Sequence, residues 1–435
     1  MYDSLIVGGG ITGLQLGALL AADGEKVLLL EKSSRLGGRA AVVKKDGYTL
    51  DYGIHLVRFG PHSALAETCR RLGREVEFIP LGTSYLQDED GRTKVFPTGP
   101  KDFLTSRLFT FRERLKIISL IMRIRRADMS GLLERSVASW MDENKITGGL
   151  RRYFHLVSAS MLVCPFLEKA SAGELLLNMQ KVLRVGVSVM YPRGGWAPLL
   201  DLFTGWIKKR GEIRTGAPVE KIAYEKGRVH GVYAQGELIP ARKVILSLPA
   251  QQLGELLENA VAPDLLAQWS RLRPTAGIVL EYGLSRPVSS ITGLAYLYRP
   301  ISFGLFTSNV EPALAPPGKQ LLTWLMPLPV ESFADKAALA AAEQELEQAL
   351  FSFFPGLQEA VEWRRAMHLP LVDGVEVNIQ QTASRRPPFK VPGLENLFLV
   401  GDSTAAPGAG GDVGHESVLC CYRTIKESAR GGVLL

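Results

Sequence analysis

Asp3-Ser4-Leu5-Ile6-Val7-Gly8-Gly9-Gly10-Ile11-Thr12-Gly13 leads from an apolar run through three glycines into a helical pattern that lasts to Ala22. Lys26-Val27-Leu28-Leu29-Leu30-Glu31 then ends a second apolar run on an acid. The spacing predicts a strand, a glycine turn, a helix and a second strand, which together make a site for the ADP half of a dinucleotide. Gly8 permits the tight turn, Gly10 lets a pyrophosphate approach the backbone, and Gly13 lets the helix lie close to the sheet. Ile11 and Thr12 open a helix whose free N–H groups and dipole favour phosphate. Glu31 stands where a carboxylate can accept hydrogen bonds from the adenosine ribose and would repel a 2′-phosphate. Lys32, directly after it, is a further candidate contact.

A second glycine element follows: Arg35-Leu36-Gly37-Gly38-Arg39-Ala40, then Gly47-Tyr48-Thr49-Leu50-Asp51-Tyr52-Gly53-Ile54-His55. A nicotinamide site needs no such element, whereas FAD has a longer chain to follow. On these residues the sequence resembles the flavoprotein superfamily of phytoene desaturases, protoporphyrinogen oxidases and flavin amine oxidases, which shares a glycine fingerprint, a glutamate, R-x-G-G-R and D-x-G. The resemblance recurs in Asn396-Leu397-Phe398-Leu399-Val400-Gly401-Asp402, in the glycine-rich loop Pro407 to Gly414, and in Gly216-Ala217-Pro218-Val219-Glu220-Lys221-Ile222. It implies FAD as cofactor and Gly38, Arg39, Val219, Gly401, Asp402, Asp412 and Val413 as further cofactor contacts. It also implies a last helix, expected from about Glu416, whose positive end faces the flavin.

The chain has 435 residues, 46% of them hydrophobic and 22% charged, with a net charge of +7. That is material for two to three domain-sized units. Four cysteines in no paired spacing and a first strand beginning by residue 3 point to a cytoplasmic protein without a secretory leader. No apolar run reaches the roughly 18 residues that span a bilayer. No nucleic-acid motif accompanies the basic charge. Seven of the basic residues fall between Arg107 and Arg126 with one acid, Glu113, interleaved with Leu108, Phe111, Leu115, Ile118 and Met122. Such a stretch is either a helix lying in an anionic membrane interface or one whose apolar face packs on the domain.

The expected fold is α/β, a Rossmann-type FAD-binding domain interleaved with an α+β substrate domain of antiparallel sheet and helices. Residues 1–70, 190–262 and 371–435 are expected to form the first, and residues 71–189 and 263–370 the second, with a membrane-facing part near 101–130. Helices are predicted over Pro61 to Leu72, 197–209 and Ala337–Phe353. Strands are predicted at Gly277–Tyr282, Leu294–Tyr298, Phe303–Ser308 and Leu321–Met326.

A flavin accepts a hydride at N5, so the expected work of the protein is to hold a substrate C–H there and exclude water. The six histidines are scattered and no metal site is expected. His55, after the D-x-G turn, is the one candidate catalytic side chain, against the simpler roles of satisfying turn backbone or lining the FAD site. His415 and Glu416 stand where many relatives carry small residues. Cys420-Cys421 reads as helix packing. No second nicotinamide unit is present, so electrons are expected to pass to oxygen, a quinone or another external acceptor. Three functions fit: oxidation or desaturation of a hydrophobic, isoprenoid-type small molecule; an amine or porphyrinogen oxidase with Tyr296, Tyr298, Phe303 and Trp324 as a candidate aromatic cage; and a non-redox isomerase or FAD carrier.

Overall fold

The structure is a computed structural model that describes residues 1–258 and 260–431. The four C-terminal residues of the expected 371–435 segment lie outside it. Two seven-stranded sheets organise the chain. In the first, Glu212–Thr215, Val27–Glu31, Tyr2–Val7 and the end of Glu237–Leu246 run parallel in that order, with Leu397–Leu399 parallel on the far side. The antiparallel strands Val219–Glu225 and Arg228–Ala234 extend it. Leu5, Ile6, Leu28 and Leu29 are fully buried, as strands covered on both faces must be. Helix Ile11–Ala22 covers one face with Ala197–Arg210 and Gly411–Gly431 beside it. Helix Pro263–Ser270, read above as the start of the substrate unit, packs Trp269 into the core on the other face.

The second sheet runs Val361–Leu369, Ala276–Leu284, Gln320–Leu328, Ile301–Phe306, Ala295–Tyr298, Ser84–Gln87 and Thr93–Phe96. The antiparallel expectation is corrected in one respect: Ala295–Tyr298 pairs parallel with Ser84–Gln87, so the sheet is mixed. Alternation along Ala276–Leu284 explains its two-sided burial. Ile278, Leu280, Tyr282 and Leu284 face helix Lys336–Phe353, whereas Val279 and Glu281 face the first domain-sized core region around Tyr48 and the 51–53 turn. Trp324 belongs to the helix-covered side, against Phe353 and Phe354, while Tyr296 and Phe303 line the other. The sheet therefore divides the expected aromatic cage.

Two helices differ from expectation. The Pro61 helix begins at Ala64, where the Ser63 side chain accepts from the Ala66 N–H, and Pro61 lies in the preceding turn. The last helix begins at Gly411 instead of Glu416, so Asp412 and Val413 stand in its first turn.

In the basic stretch, Leu108 is buried ahead of the helix. Helix Phe111–Ile124 packs inward through Ile117, Leu120 and Ile124, and Phe111, Leu115, Ile118 and Met122 are exposed. The expected single apolar face is two faces, because a packed and an exposed apolar row share one 3.6-residue period.

Candidate cofactor site

The glycine turn is built as the spacing requires. Gly8 has φ +106, and a Cβ there would lie 2.5 Å from the Ser247 carbonyl oxygen; one on Gly13 would lie 2.3 Å from the Gly8 oxygen. These two glycines serve the fold. Gly10 is different: its backbone is extended, and a Cβ would meet nothing within 4 Å. The space above it is open where a phosphate would approach, and no side chain caps the helix that starts at Ile11. Thr12 hydrogen-bonds Ser247 through the two hydroxyls at 2.9 Å.

Glu31 accepts the Gly9 N–H at 2.6 Å and the Ser33 N–H at 2.8 Å. A carboxylate has about four acceptor positions, so two remain for ribose hydroxyls. Lys32 is exposed beside it. Ala217 donates to the Glu31 carbonyl at 2.9 Å, which brings the start of strand Val219–Glu225 to the same edge. The second glycine element docks directly on the first: Gly37 donates to Gly9 at 2.8 Å, and a Cβ on Gly38 would lie 3.1 Å from the Gly10 Cα.

Arg39 reaches across to the far end of the sequence. Its guanidinium donates to both Asp402 carboxylate oxygens, at 2.5 and 2.8 Å, and to the Val372 carbonyl at 3.0 Å. Asp402 also accepts the Gly374 N–H at 2.7 Å. Burial drives the Asp402 carboxyl upward, but Arg39 and the Gly374 N–H outweigh it and hold it below the ordinary range. Asp373, beside Gly374, is pushed up to about 6 because burial and the nearby Asp402 charge outweigh the Arg39 and Arg58 charges and its Thr275 hydrogen bond. Gly401 donates to the Ser417 hydroxyl at 2.9 Å. Gly414 fits between Thr12 and Asp402, its virtual Cβ 3.1 and 3.7 Å from their carbons. The two ends of the chain thus meet at one place.

The D-x-G turn forms the neighbouring wall. Gly53 has φ +107 and faces Val279 of the second sheet. The Tyr191 hydroxyl donates to one Asp51 oxygen in a short bond, and the other oxygen is buried without a partner. Glu281 is ion-paired with Arg365, which also donates to the Asp51 carbonyl at 3.1 Å. Burial pushes both Asp51 and Glu281 up to about 7. His55 turns Nδ1 toward the Gly53 carbonyl at 3.2 Å, and its carbonyl accepts from the Trp196 indole at 3.0 Å. Burial lowers its pKa below the usual histidine value. Through the Nδ1 contact the ring engages the backbone of its own turn.

At the last helix, Asp412 Oδ2 is buried without a hydrogen-bond partner, 3.7 Å from Lys181 Nζ, which itself bonds Glu416 at 3.0 Å. Burial pushes Asp412 up to about 6. Val413 is buried. His415 accepts from the Gln15 amide at 2.8 Å and stacks on Trp196 with ring centres 6.0 Å apart. The sequence reading missed Gln15, Trp196, Ser247, Glu281, Arg365, Val372 and Gly374. Only Asp373-Gly374, an acid-glycine turn pair, carried a local signal.

These residues fit FAD. The open space at Gly10, the uncapped helix start, the spare lone pairs of Glu31 and the unpartnered Asp412 oxygen lie along one path from the first helix to the last. A family model, flavin containing amine oxidoreductase, matches residues 11–414. The zeta-carotene-forming phytoene desaturase of Myxococcus xanthus is 24% identical over 93% of this chain and 90% of its own. The prolycopene isomerase of Daucus carota is 22% identical over 97% and 80%. A crystal structure of an oxidoreductase from Methanosarcina mazei superposes with a TM-score of 0.82 at 22% identity, covering 98% of this chain and 100% of that one. The chain belongs to the flavin containing amine oxidoreductase family and is an FAD-dependent oxidoreductase.

Proposed function

We propose that this enzyme removes hydride from a long apolar, isoprenoid-type substrate, desaturating or oxidising it. The observation that carries the reading is one unbroken buried apolar cluster. It runs from Ala409 in the terminal glycine loop, through Tyr296, Phe303 and Leu325 of the second sheet, to Ile117, Leu120 and Ile124 of the basic helix. The names of the carotenoid-acting relatives support the same substrate class.

FAD bound in the site would supply the hydride acceptor. Gly10, Ile11, Thr12, Gly13 and Arg39 would hold its pyrophosphate and Glu31 its ribose, with Lys32 at the rim. The Val219 backbone would meet adenine. Gly38, Gly401 and Asp402 would follow the ribityl chain, and the first turn of the last helix at Asp412 and Val413 would face the ring, with the Val413 N–H held by the Gly410 carbonyl at 3.2 Å. In this reading, residues 1–70, 190–262 and 371–435 carry the cofactor and residues 71–189 and 263–370 the substrate. The apolar side chains of the buried cluster would exclude water and orient the substrate, and no side chain is required as general base. Electrons leave to an external acceptor such as oxygen or a quinone, and the substrate enters from a lipid phase.

The test is anaerobic mixing of the flavin-loaded enzyme with a C40 polyene in detergent micelles and, separately, with primary amines. Bleaching of the flavin band by the polyene alone supports the proposal; bleaching by amines alone overturns it. A changed double-bond geometry without net bleaching would favour the isomerase reading, to which the Daucus carota relative lends weight.

A further inference from the structure

Ten large hydrophobic residues are exposed among the described residues, and five of them, Leu104, Phe111, Leu115, Ile118 and Met122, fall within one short segment. Phe111 is 72% exposed and Leu115 55%. At 3.6 residues per turn, the four on helix Phe111–Ile124 lie within an arc of about 60°. Scattered exposed apolar residues are ordinary, but a contiguous row is a contact surface. The helix does not need this row for its fold, since Ile117, Leu120 and Ile124 already anchor the opposite face.

The rim of the row is cationic: Lys101, Arg107, Arg112, Arg123, Arg125 and Arg126 are exposed around it. The acids on the two local helices are turned to backbone. Asp102 accepts from Thr98 and Gly99, and Glu113 accepts from Thr110 and Leu150. A second copy of this face would bring like charges together, whereas lipid phosphates would complement it. No helix among the described residues is long and apolar enough to cross a bilayer, so contact through this face would be from one side.

We propose that the outer face of residues 101–126 docks on an anionic phospholipid bilayer, the apolar row entering the acyl boundary and the arginines meeting headgroups. This deepens the lipophilic-substrate reading and rests on it for its purpose. It also places the dock on the same helix whose inner face closes the buried apolar cluster.

The test is flotation of the flavin-loaded enzyme with vesicles of phosphatidylcholine alone and of phosphatidylcholine with one-third phosphatidylglycerol. Expected is at least tenfold tighter, salt-sensitive binding to the anionic vesicles, and a tenfold or greater loss in L115E/I118E. Equal binding by the double variant, or no binding by the parent enzyme, overturns the proposal. So does a salt-resistant dimer in sedimentation that the variant abolishes. If L115E/I118E fails to retain flavin, F111S/M122S replaces it under the same criteria. Flavin bleaching by micellar polyene, read in parallel, is expected to survive in the variant. Vesicle binding without bleaching in the parent would sink the substrate reading and leave the dock standing.

Discussion

Arg39 and Asp402, 363 positions apart, meet through two hydrogen bonds of 2.5 and 2.8 Å. The pair ties the second glycine element to the strand end that delivers Gly401, closing the cofactor path between the two ends of the chain. Its members are not equivalent. The Asp402 side chain is 9% exposed and that of Arg39 is 37%.

Removing one partner therefore has an asymmetric cost. Arg39→Met leaves a buried carboxylate held by the Gly374 N–H and its own backbone N–H without a countercharge from Arg39, a loss of about 3 kcal/mol. Asp402→Asn leaves a guanidinium that water can reach, and costs about 1 kcal/mol. Denaturant unfolding of the apoprotein should rank them in that order, and both should purify with less bound flavin. The Asp402 carboxyl is held low in the folded protein. The pair's stabilisation is therefore present above the ordinary carboxylate range and is lost as pH falls through the folded value.

The two kinds of glycine should separate in mutagenesis. Gly13→Ala forces a Cβ to 2.3 Å from the Gly8 oxygen and should destabilise the apoprotein by about 1–3 kcal/mol. Gly10→Ala meets no atom within 4 Å. Its apo stability should stay within about 0.5 kcal/mol of the parent, while FAD affinity, measured by fluorescence titration, falls roughly tenfold or more. Loss of stability in Gly10→Ala would count against an open phosphate path.

Much of this site was legible because its determinants are local. Gly8, Gly10, Gly13 and Glu31 lie within one strand–helix–strand unit, where spacing alone assigns each a task. The last helix was misplaced because its first residues, Gly411, Asp412, Val413 and Gly414, have weak helix propensity. Packing of Gly414 between Thr12 and Asp402 overrides that propensity. Strands Ser84–Gln87 and Thr93–Phe96 form a local hairpin but escaped notice because each is only four residues long, and Val361–Leu369 because its partner Ala276–Leu284 is distant in sequence. Val361–Leu369 also alternates half-buried and exposed residues, with only Met367 buried, so its burial pattern is weak. In the basic helix, a period of 3.6 identified apolar rows but could not say that Ile117, Leu120 and Ile124 face inward.

Asp51 and Glu281 predict a pH dependence. Both are pushed by burial to about 7 from ordinary values of 3.8 and 4.5, so the folded protein binds protons that the unfolded chain releases. Their stabilisation is full below pH 4 and is lost as pH rises toward 7. In Asp51→Asn, the decline in Tm between about pH 5 and pH 8 should shrink, by roughly half of what this coupled pair contributes. An unchanged slope would mean that the buried turn does not take up protons.

His415 gives the last prediction. Its Nδ1 accepts from the Gln15 amide, so the ring proton sits on Nε2, and stacking on Trp196 keeps water from its face. Burial pushes its pKa down to about 4, and burial also lowers that of His55. Neither ring is charged at neutral pH, and both contribute stability that is complete above the ordinary histidine value of 6.5 and declines as pH falls below it. In protein labelled at histidine, the His415 ring resonances should stay at neutral-form shifts from about pH 8 down to about pH 5.5. The rate of flavin reduction should show no step from His415 across that range. A step that disappears in His55→Gln would restore that residue as a proton-transfer group. A step that survives there and disappears in His415→Gln would move the role to the last helix.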